Sequence, residues 1–218
     1  RNTVFSQLGF ETFTSLEYMN NVETNEIGWA KDKVLISEII EILTGSESRD
    51  FIYTISVQGH GDYPADYEIK EDDITAEGEA IEEFKRPFTY YINEIHDMDK
   101  FVRNLIYALK GLNEPTVLVM YGDHLPAFDI TDDELEGGNT YTTQYVIWNN
   151  IDLKKVDEDI EAFQLTSHVM DMLGMTGGVI SKYHSTLRHS EDYEDYLEGL
   201  RVLEYDILYG DKEVYGGE

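Results

Sequence analysis

The chain contains no cysteine, few basic residues and no long apolar run, and each lack removes a class of explanation. Without cysteine there are no disulfides and no thiolate catalysis, a state that fits either the cytosol or the outside of a bacterium that does not rely on disulfides. Sixteen Lys and Arg face 45 Asp and Glu, a formal charge of -29, and the resulting field repels nucleic acid and anionic membrane surfaces. This argues against a DNA- or RNA-binding role, and such an acidic surface aids solubility without naming a partner. No stretch approaches the roughly 18 apolar residues of a membrane span, and no signal-peptide pattern opens the chain. The first residue is Arg1 rather than methionine, so a fragment or processed product is expected and the missing span says little about the parent.

What is present suffices for a folded core. The 218 residues are 41% hydrophobic and 12% aromatic, long enough for one α/β domain. No repeat or low-complexity linker interrupts them, so residues 1–218 read as a single domain.

The most informative stretch is Thr116 to Pro126. Val117, Leu118, Val119 and Met120 form a short apolar run of the kind found in strands covered on both faces. Gly122 then lets the chain turn sharply, placing Asp123 and His124 in the crevice beyond the strand ends, where open α/β sheets hold ligands. A carboxylate beside an imidazole suits Zn²⁺ or Mn²⁺, but two donors are too few to hold either ion. From the dipeptide alone, Asp123 as a turn cap with His124 as an ordinary loop histidine is as good a reading as a pair of metal ligands.

Elsewhere, residues 1 to 30 read as short strand and loop pieces. Val34, Leu35, Ile39, Ile40 and Leu43 predict a helix over about 32–44. Phe51 to Val57 is β-branched and aromatic, a strand that runs into the loop Gln58-Gly-His-Gly-Asp-Tyr-Pro64, with His60 flanked by two glycines. Residues 65 to 84 are acidic and poor in apolar groups. A helix over 88–112, closed by Gly111, then feeds the Thr116 strand, the strand–helix–strand order of a parallel crossover. Further elements are a strand at 145–148, a helix at 160–173 stopped by Gly174, a loop through Gly177, Gly178, Tyr183 and His184, and a helix at about 191–207.

Taken in order, Ser56-Val-Gln-Gly-His60, Tyr121-Gly-Asp-His124 and Thr143-Gln-Tyr-Val-Ile-Trp-Asn-Asn150 resemble the C-terminal part of the lipoteichoic acid synthase branch of the sulfatase and alkaline-phosphatase superfamily. Arg1-Asn-Thr-Val-Phe5, Leu8-Gly-Phe10 and Leu203-Glu-Tyr-Asp-Ile-Leu-Tyr-Gly210 look like that branch's flanking segments. The resemblance implies an α/β, alkaline-phosphatase-like sheet flanked by helices, here a partial domain lacking its N-terminal part. It implies one divalent metal, Mn²⁺ before Mg²⁺ or Zn²⁺, held by a glutamate, a threonine nucleophile, Asp123 and His124. It also implies that His60 and Arg1 meet the substrate phosphate. The threonine would attack phosphorus and pass the group to a second hydroxyl, with positive partners offsetting charge on the phosphoryl oxygens. No equivalent of the glutamate or the threonine is found, so both are expected upstream of residue 1 and the chain alone should be inactive.

The implied activity of the parent is phosphoglycerol transfer from a phospholipid head group to a polyol-phosphate or glycan acceptor at the outer face of a bacterial membrane, with a membrane tether outside this chain. Two alternatives stand beside it: a sulfatase or phosphoethanolamine transferase, and a non-catalytic extracellular binding domain. Sulfatases need a formylglycine, and two-metal members add histidines soon after the Asp-His pair; here the next is His168. Among the remaining histidines, His96 reads as a surface or packing residue and His168 as structural. His184 and His189 are indistinguishable from solvated loop histidines.

Overall fold

The computed structural model describes residues 2–175 and 177–216, apart from the side chain of Ala80, and the trace falls into two compact units, 1–148 and 149–218. The first unit opens with a short helix, α1 (Asn2–Gln7), where the sequence reads as strand and loop pieces, followed by an antiparallel bridge between Thr24 and Ala30. Helix α2 (Val34–Gly45) and the 28-residue helix α3 (Lys85–Leu112) follow the apolar spacing predicted for them. They meet through Val34, Leu35, Phe101, Leu105 and Leu109, the buried heart of the unit. Strands β1 (Val117–Tyr121) and β2 (Tyr145–Asn149) lie against this cluster through Leu118 and Trp148.

Four expectations need correction here. Gly111 lies inside α3; the helix stops at Asn113, which takes the left-handed conformation (φ 56°) that asparagine tolerates better than most residues, just ahead of Pro115. Phe51 to Val57 is not a strand, because among the described residues no neighbour pairs with it, and Phe51, Tyr53 and Ile55 stand 77%, 46% and 49% exposed. The partner of β1 is instead β2: Gly122, just past the end of β1, donates to the carbonyl of Gln144, just before the start of β2, so the two run antiparallel rather than as a parallel crossover. With one strand neighbour among the described residues, β1 is half-buried along its apolar run instead of covered on both faces.

The second unit carries α4 (Leu165–Met172), entered through a 3-10 turn at Ala162–Gln164, then α5 (Val179–Leu187) and α6 (Tyr193–Tyr209). Tyr183 and His184 belong to α5, not to a loop: the glycine pair that reads as loop ends at Gly178, the residue that caps the helix. Gly174 does end the preceding turn, with φ 62°. The interior here is polar. The Tyr196 hydroxyl takes a hydrogen bond from Gln164 Nε2 at 3.0 Å and lies 2.7 Å from His184 Nδ1, while the Tyr183 hydroxyl donates to the Tyr196 carbonyl at 2.8 Å. His184 is therefore a buried network member, not a solvated histidine. His168 is buried as a structural residue, its Nδ1 3.3 Å from Glu158, which also faces the exposed His189. The Asp192 carboxylate caps α6 by accepting from Asp195 N, and Glu194 and Asp195 in the first turn suit the positive end of the helix dipole.

Two outcomes follow from this packing. Leu105→Ala removes a side chain only 3% exposed and should cost about 2–5 kcal/mol in denaturant unfolding, since the cavity adds to the lost transfer energy; a cost under 1 kcal/mol would show that the α2–α3 contact is not the core. In the second unit, burial foremost and the nearby Arg188 charge hold His184 below its ordinary pKa. The unfolded chain thus binds the proton more readily, and the stability that this residue contributes is full above about pH 6.5 and is lost as pH falls through the depressed folded value. Thermal melts of wild type and His184→Gln between pH 5 and 8 should differ in slope; parallel curves would remove the assignment.

Candidate functional site

The site is built from two loops of the first unit, and the His60 loop is the more tightly held. Asp32, just before α2, is buried, and its Oδ1 accepts from Val57 N at 3.1 Å and Gln58 N at 3.3 Å. Gln58 returns the bond, its Oε1 accepting from Asp32 N at 2.9 Å, and its Nε2 donates to Glu94 of α3 at 2.9 Å. Asn25 completes the clamp by donating to the Gln58 carbonyl at 3.2 Å and to Glu94 at 3.4 Å. Burial raises the Asp32 pKa, the two amide bonds pull it down, and Glu94 adds repulsion. Gly59 lies so close to α3 that a Cβ there would sit 3.0 Å from Met98 Sδ and 3.2 Å from Ile95 Cδ1. Tyr63 donates to the Gly59 carbonyl at 3.1 Å, and burial pushes its phenol up to about 12.

The second loop leaves β1. Its tip is pinned to the residues ahead of β2 by the bond from Gly122 N to Gln144 O (3.2 Å) and that from the Thr143 hydroxyl to Gly122 O (2.7 Å). The turn does not depend on glycine, contrary to expectation: Gly122 has no positive φ, and a Cβ would make only ordinary contacts with Thr143. Asp123 and His124 project into solvent with side chains 83% and 61% exposed. His124 Nδ1 lies 2.7 Å from the Leu125 carbonyl, which assigns the proton to Nδ1 and leaves the Nε2 lone pair free to bind, with Asp123 Oδ1 3.6 Å away.

The two loops converge. The His60 and His124 rings lie 6.2 Å apart, nearly perpendicular, and a Cβ on Gly61 would touch Ala127 at 3.4 Å. His60, Asp123 and His124 thus share one edge of the unit. Arg1 lies outside the described residues. The helix that follows it does reach this neighbourhood: Phe5 of α1 packs on Tyr53 at 5.8 Å, and the Tyr53 hydroxyl meets that of Tyr121 at 3.1 Å, two residues before Asp123. The shared hydroxyl contact, with burial, pushes Tyr121 up to about 12.

A carboxylate oxygen and a free imidazole nitrogen are the donor types a divalent ion such as Mn²⁺ or Zn²⁺ accepts, but they make half of a four-ligand shell. Among the described residues no group of three His, Cys, Asp or Glu side chains could complete it. Sequence reasoning missed Asn25, Trp29, Asp32 and Glu94, which hold or flank the His60 loop. The only hint was Asp32 itself, an acid abutting an apolar helix start.

The Sulfatase family profile matches residues 1–175, and the chain belongs to that family. Its members are generally enzymes, typically with a divalent metal, and the family carries an alkaline-phosphatase-like α/β fold; here the described residues form helices and a two-stranded sheet. One relative, from Rhizobium meliloti (strain 1021) and named as a candidate cyclic beta-1,2-glucan modification protein, is 31% identical over 126 residues, 58% of this chain and 19% of the relative. No solved structure matches the chain.

Asp32→Ala would strip the Val57 and Gln58 amides of their shared acceptor. The expected result is a loss of about 1–3 kcal/mol with faster hydrogen exchange at Val57 and Gln58. Unchanged exchange there would show that the loop is held by something else.

Proposed function

We propose that this chain supplies the metal-facing and phosphate-facing edge of a lipoteichoic acid synthase-type phosphoglycerol transferase. The parent protein would move glycerol phosphate from a phospholipid head group to a cell-envelope acceptor at the outer face of a bacterial membrane. The observation that carries this reading is the meeting of His60 with Asp123 and His124 on one exposed edge. Asp123 and His124 Nε2 would hold Mn²⁺ together with ligands from outside this chain. When bound, the ion would lower the nucleophile's pKa and neutralise charge on the phosphoryl oxygens. His60 would bind one of those oxygens through Nε2, with Nδ1 facing the Gly61 carbonyl 3.4 Å away. Arg1 would add a second cation. The name of the Rhizobium relative favours a glycan acceptor over a polyol phosphate.

With two metal donors and no assigned nucleophile, the 218 residues alone would bind metal weakly and transfer nothing. A sulfatase or phosphoethanolamine transferase differs in what lies upstream, a cysteine or serine in a sulfatase-type motif being the mark of the former. A binding domain that holds a glycan without transforming it is the reading left if neither a threonine nor such a motif is there.

The test is transfer of labelled glycerol phosphate by the full-length parent. Asp123→Ala and His124→Ala should each lower it more than about a hundredfold, beyond what loss of an outer-shell partner costs. Full transfer by either variant, or by the 218 residues alone, would overturn the proposal.

A further inference from the structure

His60 is exposed, and its one side-chain polar tether among the described residues, Nδ1 to the Gly61 carbonyl, is long at 3.4 Å. A surface imidazole so held would turn among its rotamers unless something else fixed the ring plane. Trp29 lies where it can do so. Its indole packs on the imidazole with centroids 4.9 Å apart at 59°, and its Nε1 donates to the same Gly61 carbonyl at 3.4 Å.

Trp29 is itself presented by a built turn. Gly28 takes φ 91°, Asn25 Oδ1 accepts from Trp29 N at 2.9 Å, and Asn25 N donates to the Trp29 carbonyl at 2.8 Å. The same Asn25 grips the Gln58 carbonyl, so one residue ties the tryptophan turn to the histidine loop.

We propose that Trp29 is a positioning residue for His60, fixing the plane of its imidazole beside His124. The inference rests on the reading of His60 as a phosphate contact, and it goes further by naming the group that sets the contact's geometry. A ring held in place before substrate arrives has no orientation left to lose in the transition state.

The experiment combines kinetics and spectroscopy. In the full-length parent, Trp29→Ala should lower kcat about 10- to 100-fold with little change in KM, and Trp29→Phe, which keeps a ring over the imidazole, should stay within about threefold of wild type. Because Trp29 acts through His60, the double variant Trp29→Ala/His60→Ala should be no slower than His60→Ala alone. Multiplicative losses, or a Trp29→Ala variant with wild-type kcat, would overturn the proposal. If His60→Ala transfers normally, the phosphate-contact reading fails, and the decision on Trp29 passes to NMR of the histidine-labelled chain. There, loss of the indole ring current should move the His60 Hε1 resonance in Trp29→Ala while His96 and His168 stay in place; an unmoved His60 signal would end the positioning role.

Discussion

The site hangs on a buried carboxylate held by backbone amides. Asp32 is compensated by two backbone amides and answered by a glutamine whose own amide reaches back to it. Its second oxygen is buried with no hydrogen-bond partner among the described residues. Such a group is costly to bury and is kept only where its partners are fixed. The arrangement makes the start of α2, the His60 loop and Glu94 of α3 one rigid assembly, so the long helix sets the height of the histidine loop.

The Asp-His tip is held more lightly, by two bonds to the segment that enters β2. Both of its side chains stand in solvent. On the proposed reading, the His60 loop would orient one partner of a reaction, and the exposed Asp123 and His124 would be completed by an ion and its further ligands.

Helices α2 and α3 were legible because their apolar spacing reports packing directly: Val34, Leu35, Leu105 and Leu109 are the buried contacts as well as the periodic ones. The nearness of His60 to His124 was expected from a parallel strand–helix–strand unit that the described residues do not form, so the expectation met the geometry for another reason. What could not be read was pairing. Phe51 to Val57 has strand composition, but a strand exists only when another backbone lies beside it, and propensity cannot supply one. The polar network around Asp32 was equally hidden, since Asn25, Gln58 and Glu94 are scattered in the chain and unremarkable in type. In the second unit, the glycine pair suggested loop, yet Val179, Ile180, Tyr183 and His184 make an inward helical stripe, and a histidine in such a stripe can be part of the interior.

The largely exposed run from Phe51 to Ile55 has a colloidal consequence. An apolar segment of strand composition that pairs with no strand among the described residues is a template on which a second chain can add, the start of strand-to-strand association between molecules. The formal charge of -29 opposes that encounter, because each copy carries the same sign. Acid that neutralises the carboxylates, or salt that screens them, removes the barrier, so the acidity of this surface acts as a guard over its own stickiest strip.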